Sequence, residues 1–168
     1  DSYLTGLRAS LRQAPDVILL GEMRDHETIS TAMTAAETGH LILSTLHTIG
    51  AANTIDRVID AFPPGQQQQI RTQLSMVLDA VISQQLIPTV DGGVQPAFEV
   101  MFLNNAIRNM IRESKIHQID GVIATSQGEG MISMDNSIIS LYRKGAISRE
   151  NAIAYSSNSE LMAKKLDR

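Results

Sequence analysis

The sequence predicts an α/β fold built on parallel strands and continued by short helices, and three observations carry that prediction. Two apolar runs, Val17–Leu20 and Leu41–Leu46, each end on polar residues, and a stretch of helical character lies between them. A strand, a helix and a second strand within about 30 residues make a βαβ unit, which implies a parallel sheet. From Asn104 onward the apolar spacing is helical and comes in short pieces.

Leu4, Leu7 and Leu11 share one face of a helix over Leu4–Ala14, with Arg8 and Arg12 four apart on another, and Pro15 stops it. Val17-Ile18-Leu19-Leu20, closed by Gly21, has the unbroken apolarity of a buried parallel strand. Glu27–Thr38, rich in Ala and Thr, reads as a helix with Gly39 at its C′ position. After the second apolar run come helices over Gly50–Ala61 and Gln66–Gln85, separated by Pro63-Pro64-Gly65. In the latter, Ile70, Leu74, Val77, Leu78, Val81 and Ile82 form one stripe. Asp91-Gly92-Gly93 between Leu86–Val90 and Ala97–Leu103 predicts a hairpin turn. Helices then follow over Ala106–Glu113, Ile116–Thr125, Asp135–Lys144 and Ser148–Tyr155, with Gly145 ending one and Ser148 capping the next. The expected division is an α/β part, residues 1–103, and a helical subdomain, residues 104–168.

The 168 residues suffice for one domain with a real core, or a domain with a small appendage. A hydrophobic fraction of 43% and a charged fraction of 19% belong to a folded soluble chain. Aromatics make up only 4%, without Trp, so Ile, Leu, Val, Met and Ala must build the core. The net charge of -4 argues against a general nucleic-acid binder. With no Cys, disulfides and cysteine-ligated metals are excluded. No apolar run approaches the roughly 20 residues that span a bilayer. The chain opens at Asp1 in what reads as mid-domain sequence, without a leader, and is expected to be a fragment.

Three segments carry candidate chemistry. Asp16–Asp25 (DVILLGEMRD) places Glu22 at the C-terminal tip of a strand, where open α/β sheets bind ligands. A carboxylate there can deprotonate a water attacking a γ-phosphate, or hold the water shell of Mg²⁺. On spacing alone it can equally make a cap or an ion pair with Arg24. Gly39–Thr48 (GHLILSTLHT) sets Ser44, Thr45, His47 and Thr48 at the tip of the second strand. If the strands pair in parallel, His47 lies beside Glu22, able to sense a terminal phosphate or to serve as a satisfied structural histidine. His40 and His47 find no further His or Cys with which to form a metal cluster. In Ala106–Glu113 (AIRNMIRE), Ala106, Ile107, Met110 and Ile111 form an apolar face, and Arg108 with Arg112 and Asn109 with Glu113 align at i, i+4. This is a surface helix docked by its apolar side, or a contact with another subunit or partner. A phosphate-cradling G-x-x-x-x-G-K-[ST] loop is absent from these residues, so tight nucleotide binding by the segment alone is not expected.

LRASLRQAPDVILLGEMRD (7–25), TAAETGHLILSTLHT (34–48), AANTIDRVIDAFP (51–63) and AIRNMIRE (106–113) occur in the order found in the secretion-ATPase superfamily of hexameric motors. The chain closely resembles that superfamily's type IV pilus retraction branch over nearly its whole length. The resemblance implies the C-terminal part of a RecA-like P-loop ATPase core, with a helical subdomain after it. It also implies ATP and Mg²⁺ as cofactors of the parent, with Glu22 catalytic and His47 sensing phosphate. Gly21, Arg24, Thr45 and Thr48 would line the nucleotide side, and Mg²⁺ would be reached from Glu22 through water rather than by direct ligation. Ala106, Ile107, Arg108, Asn109, Ile111, Arg112 and Glu113 would form the helix implicated in retraction, with Met110 a conservative variant of that motif. The implied setting is a homo-hexamer at the cytoplasmic face of the bacterial inner membrane, acting on the pilus machinery in twitching motility. Pilus-extension and type II secretion relatives usually carry a four-cysteine zinc insert where this chain has only Pro88–Gln95 and no Cys. That difference favours retraction over the extension or secretion alternative. A non-enzymatic assembly module is the other alternative for these residues taken alone.

Overall fold

A computed structural model describes residues 3–167, which divide into two compact units. The first comprises residues up to Thr48, Asn53–Leu78 and Asn105–Ile116, and the second Ile49–Ala52, Asp79–Asn104 and His117 onward. The units thus interleave along the chain. The segment from 105 to 116 groups with the first unit, and the segment from 79 to 104 groups with the helical tail.

In the first unit, α1 (Tyr3–Leu11), β1 (Val17–Leu20), α2 (His26–Glu37) and β2 (Leu41–Ser44) form the expected βαβ core. β1 and β2 pair in parallel. Leu7 of α1, Ile18 and Leu20 of β1, and Ala32 of α2 form a buried cluster with Leu11, Met23 and Ile42 against it. The helices therefore cover one face of the sheet. Its other face is exposed through Val17, Leu19, Leu41 and Leu43, with Leu19 75% accessible. The expectation that β1 is buried throughout is corrected here: its residues alternate between exposed and buried, because α1 and α2 pack on one side only.

α2 is bounded by its own chemistry. The Asp25 side chain accepts the Thr28 N–H at 2.8 Å and caps the N-terminus. At the other end Gly39, with φ of 97°, turns the chain so that its N–H donates to Ala36 O and that of His40 to Ala35 O. These two bonds are the Schellman closure, and the positive φ is what requires glycine there. The His40 imidazole stays with this cap, bonded through Nδ1 to Ala35 O.

α3 (Ala51–Asp60) follows, then α4 (Pro64–Val77), with Pro64 in the first helical position. The helix expected over Gln66–Gln85 ends at Val77, and Ala80–Pro88 is a strand, β3. It pairs antiparallel with β4 (Val94–Phe102) from Ala80↔Phe102 to Pro88↔Val94. The apolar stripe of the sequence is divided accordingly: Ile70 and Leu74 are buried on α4, whereas Ile82 faces solvent from β3. Nonlocal pairing along a full nine-residue strand outweighs the helical spacing. The turn lies where expected, with Thr89 N–H bonded to Gly93 O and Gly92 at φ of 86°.

α5 (Asn105–Arg112) packs on α4 in the first unit. A one-turn 3₁₀ helix (Ile116–Gln118) then precedes α6 (Ile119–Thr125). In the second unit α7 (Met134–Arg143), α8 (Arg149–Ala154) and α9 (Ser159–Leu166) gather around the hairpin. Ile87 and Ala97 meet Met134, Ile138, Leu141, Ile147, Ala152 and Met162 in one buried cluster. Ser148 caps α8 as expected, accepting the Asn151 N–H. α9, capped by Asn158, is an element that the sequence reading leaves out.

The Thr28 amide holds the Asp25 carboxyl below the usual carboxylate range. A depressed folded-state value means that this cap contributes fully above the unfolded-state value and is lost as pH falls through the folded one. Amide exchange at Thr28, corrected for intrinsic pH dependence, should therefore accelerate at acid pH in the wild type. Asp25→Ala should show that faster exchange already at neutral pH.

Candidate active site

The site begins with register. Leu20 and Ser44 are the last residues of β1 and β2 and are Cα partners, so both chains leave the sheet side by side. Two bonds extend the pairing past the strands: Met23 N–H donates to Thr45 O at 3.1 Å, and Thr45 Oγ1 donates to Gly21 O at 2.5 Å. Glu22 lies between Gly21 and Met23, so its backbone is pinned on both sides by one threonine.

From that position the Glu22 carboxylate reaches two partners. Oε2 is 3.0 Å from His47 Nε2, and Oε1 pairs with Arg24 Nε. The Glu22 side chain is 16% accessible, that of His47 91% and that of Arg24 69%. Solvent screens contacts made by such open partners, so each contributes on the order of 1 kcal/mol or less. The arrangement is weakly held at the side chains and firmly held at the backbone. A carboxylate in that state can exchange partners without the strand tips moving.

The residues expected around the nucleotide separate in the structure. Gly21 and Thr45 join Glu22 through the bonds just described, and Arg24 joins it as an ion pair. Thr48 turns elsewhere, its hydroxyl 2.8 Å from that of Thr54 on α3. A Cβ at Gly21 would meet nothing within 4 Å, so the described residues leave open space over the tip. Ser44 Oγ, at the end of β2, is buried without a hydrogen-bond partner. No group of three metal-ligating side chains occurs among the described residues.

The α5 helix buries Ile107 and Ile111 completely and leaves Ala106 and Asn109 exposed. The two arginines that align on paper have different surroundings. Arg108 donates to Ser75 O at 2.6 Å and Met76 O at 3.2 Å, closing carbonyls at the end of α4, where a cation also meets the negative pole of the helix. Arg112 is exposed and bonded to Asn109 within α5. In return Gln68 of α4 donates to Arg112 O at 3.1 Å, so each helix satisfies a carbonyl at the other's end. Glu113 pairs with Lys115 at 2.6 Å, and that bond holds its carboxyl below the usual range. The sequence reading missed this interlock, in which Gln68 of α4 and Arg108 of α5 are the side-chain donors.

The family described as "Type II/IV secretion system protein" matches residues 2–154. A "Twitching motility protein" of Neisseria gonorrhoeae is 52% identical over 163 residues, covering 96% of this chain and 44% of that protein. The "Type IV pilus retractation ATPase PilT" of Pseudomonas aeruginosa is 53% identical over 150 residues, covering 89% of this chain and 44% of the relative. The chain thus spans less than half the length of these curated relatives. A solved structure described as the pilus retraction motor PilT with bound ADP superposes with a TM-score of 0.86 at 44% identity, over 96% of this chain and 45% of the other.

The packing of α5 gives a direct test. Ile111→Ala should destabilise the protein by about 2–5 kcal/mol in urea denaturation, whereas exposed Ala106→Ser should stay within about 0.5 kcal/mol of wild type.

Proposed function

The chain belongs to the type II/IV secretion system protein family, and from that premise we propose that it forms part of an ATP-hydrolysing motor that drives type IV pilus retraction. The observation that carries the reading is Glu22 at the tip of β1, within hydrogen-bond distance of His47 at the tip of the parallel neighbour. It is supported by 52% identity to a protein named for twitching motility and 53% to one named a pilus retraction ATPase.

The residues suit MgATP in kind. An unpartnered Ser44 hydroxyl, an open strand tip and one carboxylate within reach of solvent are polar groups with capacity to spare. Glu22 would reach Mg²⁺ through water, from its place at the tip of β1. MgATP supplies the terminal phosphoryl group that water attacks. Glu22 accepts the proton of that water and orients it. His47, whose present partner is Glu22, exchanges that bond for one to a terminal phosphate oxygen and so distinguishes the state before hydrolysis from the state after it. Arg24 balances the Glu22 charge when the site is at rest. Gly21 and Thr45 are assigned to the nucleotide side, with Thr45 acting through the Glu22 backbone, whereas the Thr48 hydroxyl is taken up by Thr54 of α3.

The phosphate-cradling loop has no counterpart in these 168 residues, so the segment is proposed to act only with the remainder of its protein. The parent is read as a homo-hexamer at the cytoplasmic face of the inner membrane, contacting pilus machinery through the Ala106–Glu113 segment, most of which is α5. No helix among the described residues is long and apolar enough to cross a membrane. Retraction is favoured over extension or type II secretion because a short hairpin turn, without Cys, stands where those relatives usually carry a zinc insert.

Glu22→Gln in the full-length protein keeps the side chain's shape and removes its basicity. ATP hydrolysis should fall by about 100-fold or more, with ATP affinity changed by less than about threefold. Turnover at the wild-type rate in that variant would sink the catalytic assignment.

A further inference from the structure

We propose that Glu99 is a positioning residue, a buried carboxylate that clamps the start of α3, and thereby the chain leaving the His47 loop, to the hairpin and to α7. The inference rests on the reading of His47 given above.

Glu99 belongs to the inward row of β4, between Ala97 and Met101, both fully buried, and is itself only 6% exposed. Its partner across the ladder is Ser83 of β3, also buried. A carboxylate is costly in such a place unless its oxygens are satisfied. Each Glu99 oxygen takes one backbone donor: Oε1 accepts the Ala51 N–H at 2.7 Å and Oε2 accepts the Met134 N–H at 3.2 Å. Ala51 and Met134 are the first residues of α3 and α7, whose N–H groups have no acceptor within their own helices. The α7 cap, Ser133, is occupied with Asn136 and does not serve Met134. Two helix N-termini therefore direct their partial positive charge at one carboxylate. Beside it, Ser83 Oγ accepts the Gly50 N–H at 2.8 Å.

Gly50 and Ala51 are thus both held by a single cross-strand pair, and Gly50 follows His47 by three residues. The segment carrying the imidazole runs straight into a fixed helix start. Only a carboxylate fills this position, because it has two acceptor oxygens and no donor. A glutamine of the same size has one acceptor and would set its NH₂ against the second backbone N–H.

The test uses the full-length protein, with Glu99→Gln, Ser83→Ala and Glu22→Gln in parallel. Backbone amide exchange is read at Gly50, Ala51 and Met134, and kcat and KM are read for MgATP. Glu99→Gln should speed exchange at Ala51, Met134 or both by about tenfold or more. It should also lower kcat by about tenfold while KM stays within about twofold, the pattern of a group acting on the reacting geometry rather than on binding. Should Glu99→Gln fail to fold, Ser83→Ala carries the test, with faster exchange at Gly50 and a smaller fall in kcat. Unchanged exchange at Ala51 and Met134 would overturn the clamp. Faster exchange with normal kcat, beside a slow Glu22→Gln, would overturn the positioning role alone. Normal turnover in Glu22→Gln would overturn the reading of the site, and the positioning role with it.

Discussion

The parallel pairing of β1 and β2, from Val17 with Leu41 to Leu20 with Ser44, is the constraint on which the site depends. Side chains alternate along a strand, so a slip of one residue would turn Ile18 and Leu20 away from α1 and α2 and expose them. Burial of those two residues therefore fixes register, and register fixes which residues emerge together at the tip. Thr45 carries that alignment two bonds beyond the sheet, and Glu22 inherits it. The geometry at the strand tips is thus a consequence of apolar packing several residues away, with little contribution from the exposed ion pairs themselves.

The βαβ core was legible because its signals are local. A run of apolar residues, an Ala- and Thr-rich stretch closed by a C′ Gly39 and a second run leave few alternatives, and the juxtaposition of Glu22 with His47 follows from parallel pairing alone. The burial of β1 was misread for a physical reason: an apolar strand reads the same whether both faces are covered or one, and here Leu19 and Leu43 are exposed. The end of α4 was misread because Val77, Leu78, Val81 and Ile82 fit a helical period as well as a strand. What decides between them is β4, more than a dozen residues away. Glu99 and Ser83 carry a recoverable trace, two polar residues on the inward row of a hairpin, but their partners lie at two distant helix starts.

The same economy recurs across both units. Carbonyls and amides left open at helix ends are closed by side chains from elsewhere: Arg108 and Gln68 between α4 and α5, and Glu99 at α3 and α7. Such contacts join elements far apart in sequence while using groups that must be satisfied in any fold. They explain why Arg108 and Arg112, equivalent by spacing, are not equivalent in place: one closes a neighbouring helix and the other stays in solvent.

The central claim is that Glu22, held by its backbone and loosely by its side chain, is the base that meets the attacking water. A crystal structure of the full-length protein with Mg²⁺ and a non-hydrolysable ATP analogue tests it most directly. The account predicts the Glu22 carboxylate within about 3.2 Å of a water in line with the γ-phosphate, with His47 turned to a terminal phosphate oxygen. A Glu22 still engaged with Arg24 and His47, with the in-line water held by another residue, would contradict it.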